Sequence, residues 1–380
     1  MKITLETITP ICIRSGEKAS ALGDYIYDPN RRVLHLIDHG KLENWLEDQG
    51  NNARNLLKEL ILLASSQRGT LSDFFQQHHL TPTAFSKATI PLAFPTNISF
   101  QNRTLFLPTL TGGKPYIPGS SLKGAIRTAL MFQYIRTIDH GKPGFGASLH
   151  LKGYRNMYTG DDIFRLNTTR RSEDQPRLLP ENDALRFLQV SDTKTVPLES
   201  LRVYSLERVG ASRASIPVLL LGLNTRLQMN SQINILPGFE NALIPDYWKE
   251  FFAKGEKSIL QAVWEYSRLL LKDEIDRLEK RNTVPANNEL YKDYTQILIH
   301  TKNEIKQGAA LLRIGFGKTY FFNSIGYYLS EEEKKHYKIN IFREKYIEQF
   351  PSTRWVIRNI ENRLLPLGWC LIIQERDKRG

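Results

Sequence analysis

An α+β fold is what this sequence predicts, on three observations. Alternating apolar and polar residues open the chain in KITLETITPICIRSGE (Lys2 to Glu17), and GDYIYDPNRRVLHLID follows as two strand-like arms around an Asp28-Pro29-Asn30 turn. Helical spacing takes over in two long stretches, Tyr247 to Arg281 and Leu290 to Gln307. Between them the two periodicities alternate unevenly, with antiparallel hairpins, which argues against a doubly wound parallel sheet.

The elements follow in order. After the first strand and the hairpin, Lys41 to Ser66 carries Leu42, Trp45, Leu46, Leu56, Leu57, Leu60 and Ile61 around Gly50-Asn51-Asn52, which predicts two helices. Short extended pieces lead to Leu110. YIPGSSLKGAIRTAL (Tyr116 to Leu130) then reads as strand, turn and helix: Pro118-Gly119 ends the strand, and Leu122, Ala125, Ile126, Ala129 and Leu130 recur at helical spacing. Residues 136–182 interleave glycine, aromatics and cations in a stretch too long for a bare connection, either a solvated basic insertion or an RNA-contacting one. ALRFLQVSDTKTV and VLLLGLNTRLQMNSQINI read as strands, Tyr247 to Gln307 as a helical insert, and RLLPLGWCLIIQE as a buried closing strand.

With 380 residues the chain is long enough for two domains or one heavily inserted domain. No apolar run reaches transmembrane length and no signal-peptide pattern opens the sequence, so a cytoplasmic protein is expected. Cys12 and Cys370, the two cysteines, sit in apolar strand-like runs and make neither a disulfide framework nor a cysteine-rich metal site. Lys and Arg number 52 against 40 Asp and Glu, a formal charge of +12 that favours polyanionic partners.

At the start of the predicted helix, Ser120 or Ser121 can cap free N–H groups, and Lys123 and Arg127, four apart, share one face across Gly124. Backbone donors, the positive dipole end and two cations suit a phosphate; an amphipathic helix with a solvated basic edge suits the same residues. A nucleotide P-loop is excluded, since Lys123 precedes Gly124 and GFGKT (Gly315 to Thr319) has Leu312 where its first glycine must lie. Eight histidines form none of the common hydrolase signatures. His35, His39 and Asp28 are the residues from which a ribonuclease site would have to be built, and the turn aspartates read first as backbone hydrogen-bonding groups. Cations beside exposed backbone, with Tyr154, Tyr158 or Phe316 to stack bases, instead suit a sugar-phosphate chain.

YIPGSSLKGAIRTAL resembles the signature of the RAMP proteins, the repeat-associated RNA-binding subunits of CRISPR systems. TPICIRSGE, LQVSDTKTV and LLRIGFGKTYFFNSIG follow in the family's order, and with DYIYDPNRRVLHLID and LLPLGWCLII the set is most similar to the type III-A (Csm) effector subunit at the 3′ end of the guide RNA. The resemblance implies an RRM-like, ferredoxin-type core, as one heavily inserted module or two in tandem. Its expected division is 1–240 as RRM-like core with the basic loop 136–182, and 241–380 as helical insert (247–307), glycine-rich loop and completing C-terminal strands. It also implies a non-catalytic, crRNA-binding cap without metal or cofactor that contacts the backbone subunit and supports 3′-end maturation by recruited nucleases. A precursor-processing endoribonuclease and a polymerising backbone subunit are the alternatives. Carried over by position, the RNA-contacting candidates are Arg14, Ser120, Ser121, Lys123, Arg127, Arg313, Gly315, Gly317 and Lys318; the basic loop adds Arg170 and Arg171. Arg14 stands where the family often has a smaller residue.

Overall fold

Pro10 decides the first departure from the sequence pattern. Lys2 to Glu17 does not form one strand. In the computed structural model β1 (Lys2–Thr7) and β2 (Arg14–Ser20) belong to different sheets. Pro10 has no N–H to give a ladder, and the chain turns there while Ile8 and Thr9 donate to the Trp369 carbonyl and Ile11 exchanges bonds with Leu223. The structure describes residues 1–66, 69–95, 100, 103–138, 161–166, 180–210, 217–280, 285–305, 309–324, 326–328 and 353–375.

The hairpin forms as expected: β3 (Tyr25–Asp28) pairs antiparallel with β4 (Val33–Ile37), and Asp28 accepts the N–H groups of Asn30 and Arg31 in the turn. Helices His39–Asp48 and Ala53–Ser66 follow, separated by a short turn at Gly50–Asn52, and with helix Leu71–Gln77 they pack on the hairpin, whose β4 pairs on its other side with β5 (Ser86–Pro91). Phe74, Phe75, Phe85, Ile37 and Leu42 form the core of this small unit.

Two large sheets make the body. One runs in the order β13 (Ala309–Arg313), β16 (Trp369–Gln374), β1, β12 (Gln228–Ile235), β9 (Leu188–Val190). The second runs β15 (Leu364–Leu365), β14 (Arg354–Arg358), β10 (Leu201–Val209), β11 (Val218–Leu223), β6 (Thr104–Pro108), β2. Each draws strands from both ends of the chain; β1 pairs with β16 and β10 with β14. The run VLLLGLNTRLQMNSQINI thus divides between the sheets at a turn where Arg226 takes a positive φ.

Long helices supply the other layer. Helix Gly119–Ile138 packs against helix Glu256–Glu279, which in turn lies on β13. The predicted Tyr247 to Arg281 helix is two, Asp246–Ala253 and Glu256–Glu279, because Gly255 adopts φ +77° between them. Helix Pro285–Ile305 completes the insert. The result is an α+β fold with a ferredoxin-like core and a helical insertion, and the aromatic stripe of the insert, including Trp248, Phe252 and Tyr266, is core.

Glu274 and Arg354, exposed by only 1% and 4%, pair side chain to side chain and tie the insert to β14. Their mutual field and hydrogen bond hold Arg354 protonated in spite of burial. Cys12, in the segment between β1 and β2, and Cys370, in β16, are buried free thiols, and burial pushes both up. Among the described residues no helix is long and apolar enough to cross a membrane.

Candidate nucleic-acid interface

The helix start at Gly119 is held by the chain's own carboxylate. Asp192 Oδ1 accepts the Gly119 backbone N–H at 2.7 Å, and Thr193 Oγ1 accepts that of Ile117 at 2.9 Å. A Cβ on Gly119 would stand 2.2 Å from the Val190 carbonyl oxygen, so only glycine lets the helix start approach β9 this closely. The sequence reading of Ser120 or Ser121 as cap is therefore corrected: both lie inside the first turn, Ser120 exposed and Ser121 half-buried, and the capping anion is Asp192. The VSD stretch and the helix motif, far apart in sequence, are two halves of one joint.

Lys123 and Arg127 are half-buried and turn toward neighbouring segments of the same chain. Arg127 lies 4.9 Å over the Phe164 ring and donates to Met131 Sδ, while burial pushes the Lys123 ammonium down against the opposing pull of Asp183. Gly124 between them is exposed, and a Cβ there meets nothing within 4 Å, so within the chain no backbone approaches it.

Arg313 requires a second correction. At 2% exposure it is enclosed by the rings of Phe322 (5.1 Å), Trp369 (5.4 Å) and Tyr294 (5.9 Å), and it donates to the Leu367 and Gly317 carbonyls. It is a core cation that fixes the glycine loop, out of reach of any RNA. Gly315 and Gly317 shape that loop at φ +80° and +85°; a Cβ on Gly315 would meet the Cys12 carbonyl oxygen at 2.6 Å, and Gly317 is buried against Leu367 and Trp355. Phe316 N donates to the Cys12 carbonyl, fastening the loop to the segment that leads into β2.

That fastening makes an exposed cationic surface. Arg14, exposed at the start of β2, has its guanidinium 4.3 Å from the Phe316 ring centroid and 4.8 Å from that of Phe106. Lys18, on the same edge strand, holds its ammonium 5.5 Å over Phe106. Between them the ladder is irregular and Gly16 takes φ +98° with open space around it. Lys318, two residues beyond Phe316, is half-buried; burial, and then the charge of Arg313, bring its ammonium down to about 8. Arg14 and the loop that carries Lys318, separate in the sequence, thus meet at Phe316. Phe106 and Lys18 were missed: each is a single residue in a strand, and only the β2–β6 register places them beside Arg14.

Arg170, Arg171, Tyr154 and Tyr158 lie outside the described residues. His35 is 2% exposed, its Nδ1 3.0 Å from Thr89 Oγ1, and burial pushes its imidazole pKa down, so it is placed away from any substrate in solution. His39 lies 3.4 Å from Asp24, and Asp28 is occupied by turn N–H groups. Among the described residues no group of three or more His, Cys, Asp and Glu is placed to hold a metal ion.

The family model of the RAMP superfamily matches residues 4–352. The chain belongs to the RAMP superfamily. A curated relative, the "CRISPR system Cms protein Csm5" of Methanocaldococcus jannaschii, is 23% identical over 397 residues, covering 97% of this chain and 88% of the relative. Two solved structures share the fold from end to end. One is a chain of a Csm–crRNA–target RNA ternary complex of a type III-A CRISPR-Cas system, seen by cryo-electron microscopy, with TM-score 0.66, 21% identity and coverage of 98% of this chain and 100% of that one. The other is the crystal structure of T. onnurineus Csm5, with TM-score 0.66, 20% identity and coverage of 97% and 99%.

Proposed function

We propose that this RAMP chain is a non-catalytic subunit of a type III-A Csm effector complex that binds the 3′ region of crRNA, contacts the neighbouring backbone subunit and supports 3′-end maturation by recruited nucleases. The observation that carries the reading is the end-to-end likeness to Csm5 and to a chain of a Csm–crRNA–target RNA complex. The edge of β2 supports it physically: Arg14 and Lys18 present cations on aromatic rings, and Lys318 stands beyond Phe316 on the same loop. Cations hold phosphates there without reading sequence, as a subunit serving many guides requires. The pronounced burial of His35 favours this reading over the endoribonuclease.

The experiment is to assemble the effector complex with and without this chain and sequence the 3′ ends of the crRNA it retains. The expected result is trimmed, uniform ends and a crosslink from this chain to the guide's 3′ region only when the chain is present. Identical ends in both preparations, with no such crosslink, contradict the reading.

A further inference from the structure

We propose that the cleft between the edge strand β2 and the three-stranded sheet β3–β4–β5 is a slot for one unstacked nucleobase of the bound RNA; this rests on the RNA-binding reading above. Its walls are apolar: Leu107, Leu110, Leu198 and Leu221 from the six-stranded sheet and its connections, and Leu36 and Ile37 from β4. Its volume is about 80 Å³. One water needs at least about 10–15 Å³ and fills about 30 Å³ of liquid, so the space holds about two or three waters and admits the edge of one base ring.

The rim of the cleft is polar and suits a nucleotide better than a purely apolar plug. Lys18 borders it from β2 and Lys87, exposed, from β5. Lys18 also belongs to the Arg14–Phe106–Phe316 surface, so an RNA strand crossing the edge of β2 can leave phosphates beside Arg14 and Lys18 while one base turns into the cleft. Asp24 and His39 complete the mouth. His39 Nε2 lies 3.1 Å from the Gly23 carbonyl, which makes that nitrogen the donor, and Asp24 Oδ2 already accepts the Ser20 N–H at 2.7 Å. Asp24 Oδ1 faces His39 Nε2 at 3.4 Å and, with the Asp24 side chain 38% exposed, keeps a further lone pair as an acceptor at the mouth. A carboxylate in that position accepts from the exocyclic amine of cytosine, adenine or guanine, whereas uracil has no amine and offers only its ring N3–H.

The test uses the full chain and a single-stranded RNA in which an abasic site replaces each nucleotide in turn, with affinity read by fluorescence anisotropy. Removing a base buried against these aliphatic walls costs about tenfold or more in affinity. We expect one abasic position to show that loss and Leu110→Trp, a substitution at a residue 40% exposed, to fill the slot and abolish the difference. Asp24→Asn, which keeps an oxygen for the Ser20 N–H, is the second variant; it should erase a preference for cytosine or adenine over uracil at that position. A flat abasic scan on RNA that binds well, or an abasic penalty that persists in a folded Leu110→Trp protein, overturns the slot while leaving the RNA-binding reading intact. Leu110→Trp that weakens only assembly with partner subunits, with a flat scan, identifies a protein side chain as occupant and also overturns it. No binding of any RNA by the chain, alone or assembled, overturns both.

Discussion

Asp192 accepts the backbone N–H of Gly119 at 2.7 Å, joining the end of β9 to the start of helix Gly119–Ile138 across 73 residues of sequence. A helix N-terminus that is open in the sequence pattern is thereby closed by an internal anion.

Removing the joint should cost stability. Asp192→Ala leaves the Gly119 N–H without its acceptor and is expected to destabilise the chain by about 1–2 kcal/mol. Gly119→Ala drives a Cβ into the Val190 carbonyl and should lower the melting temperature further still. Calorimetry on both variants checks the order; equal stability of Asp192→Ala and the parent sequence would dissolve the joint.

The Glu274–Arg354 pair is buried enough that breaking it leaves a stranded charge. Glu274→Gln should destabilise by about 3–5 kcal/mol, whereas replacing both partners with apolar residues of similar volume should recover most of that loss. Denaturant unfolding of the single and double variants measures the difference.

Burial pushes His35 below its ordinary pKa, with Asp28 opposing and Arg31 assisting. The unfolded chain therefore takes up a proton near pH 6.5 that the folded chain refuses, so stability is full above that pH and declines as pH falls through it. Melting temperatures from pH 8 to 5 should fall, and His35→Gln should flatten the decline.

Lys318, with its ammonium brought down to about 8, is charged at neutral pH and loses its proton in mildly alkaline solution. If it holds an RNA phosphate, affinity should fall as pH rises through about 8 by about tenfold, the worth of one charge-assisted bond. Lys318→Arg, charged throughout, should bind RNA equally well at pH 7 and pH 9. An identical decline in the arginine variant would remove Lys318 from the interface.

Much of this was legible in the sequence, for reasons that particular residues make plain. The β3–β4 hairpin, the two helices about Gly50 and the Gly119 helix follow from local periodicity and turn chemistry, and the structure has all of them. Gly16, Gly315 and Gly317 stood out as glycines and each does take a positive φ. What local pattern does not carry is partnership across the fold. Arg313 and Lys318 look alike in LLRIGFGKT, yet one is enclosed by Phe322 and Trp369 while the other is only half-buried. Asp192 looked like part of a strand until the register of β9 placed it against Gly119. The single opening strand became two because Pro10 acts on the ladder and leaves the alternation untouched.

The measurement that bears most directly on the account is a titration of the purified chain with labelled single-stranded CRISPR repeat-spacer RNA across salt concentrations, each sample also run on a denaturing gel. With Arg14, Lys18 and Lys318 each neutralising one phosphate, the log–log slope should be about −2, at roughly −0.7 per phosphate, and the RNA should emerge intact. Arg14→Ala with Lys18→Ala should reduce the slope by about two thirds. Salt-independent binding, or discrete cleavage products on the gel, would contradict a non-catalytic RNA-binding cap.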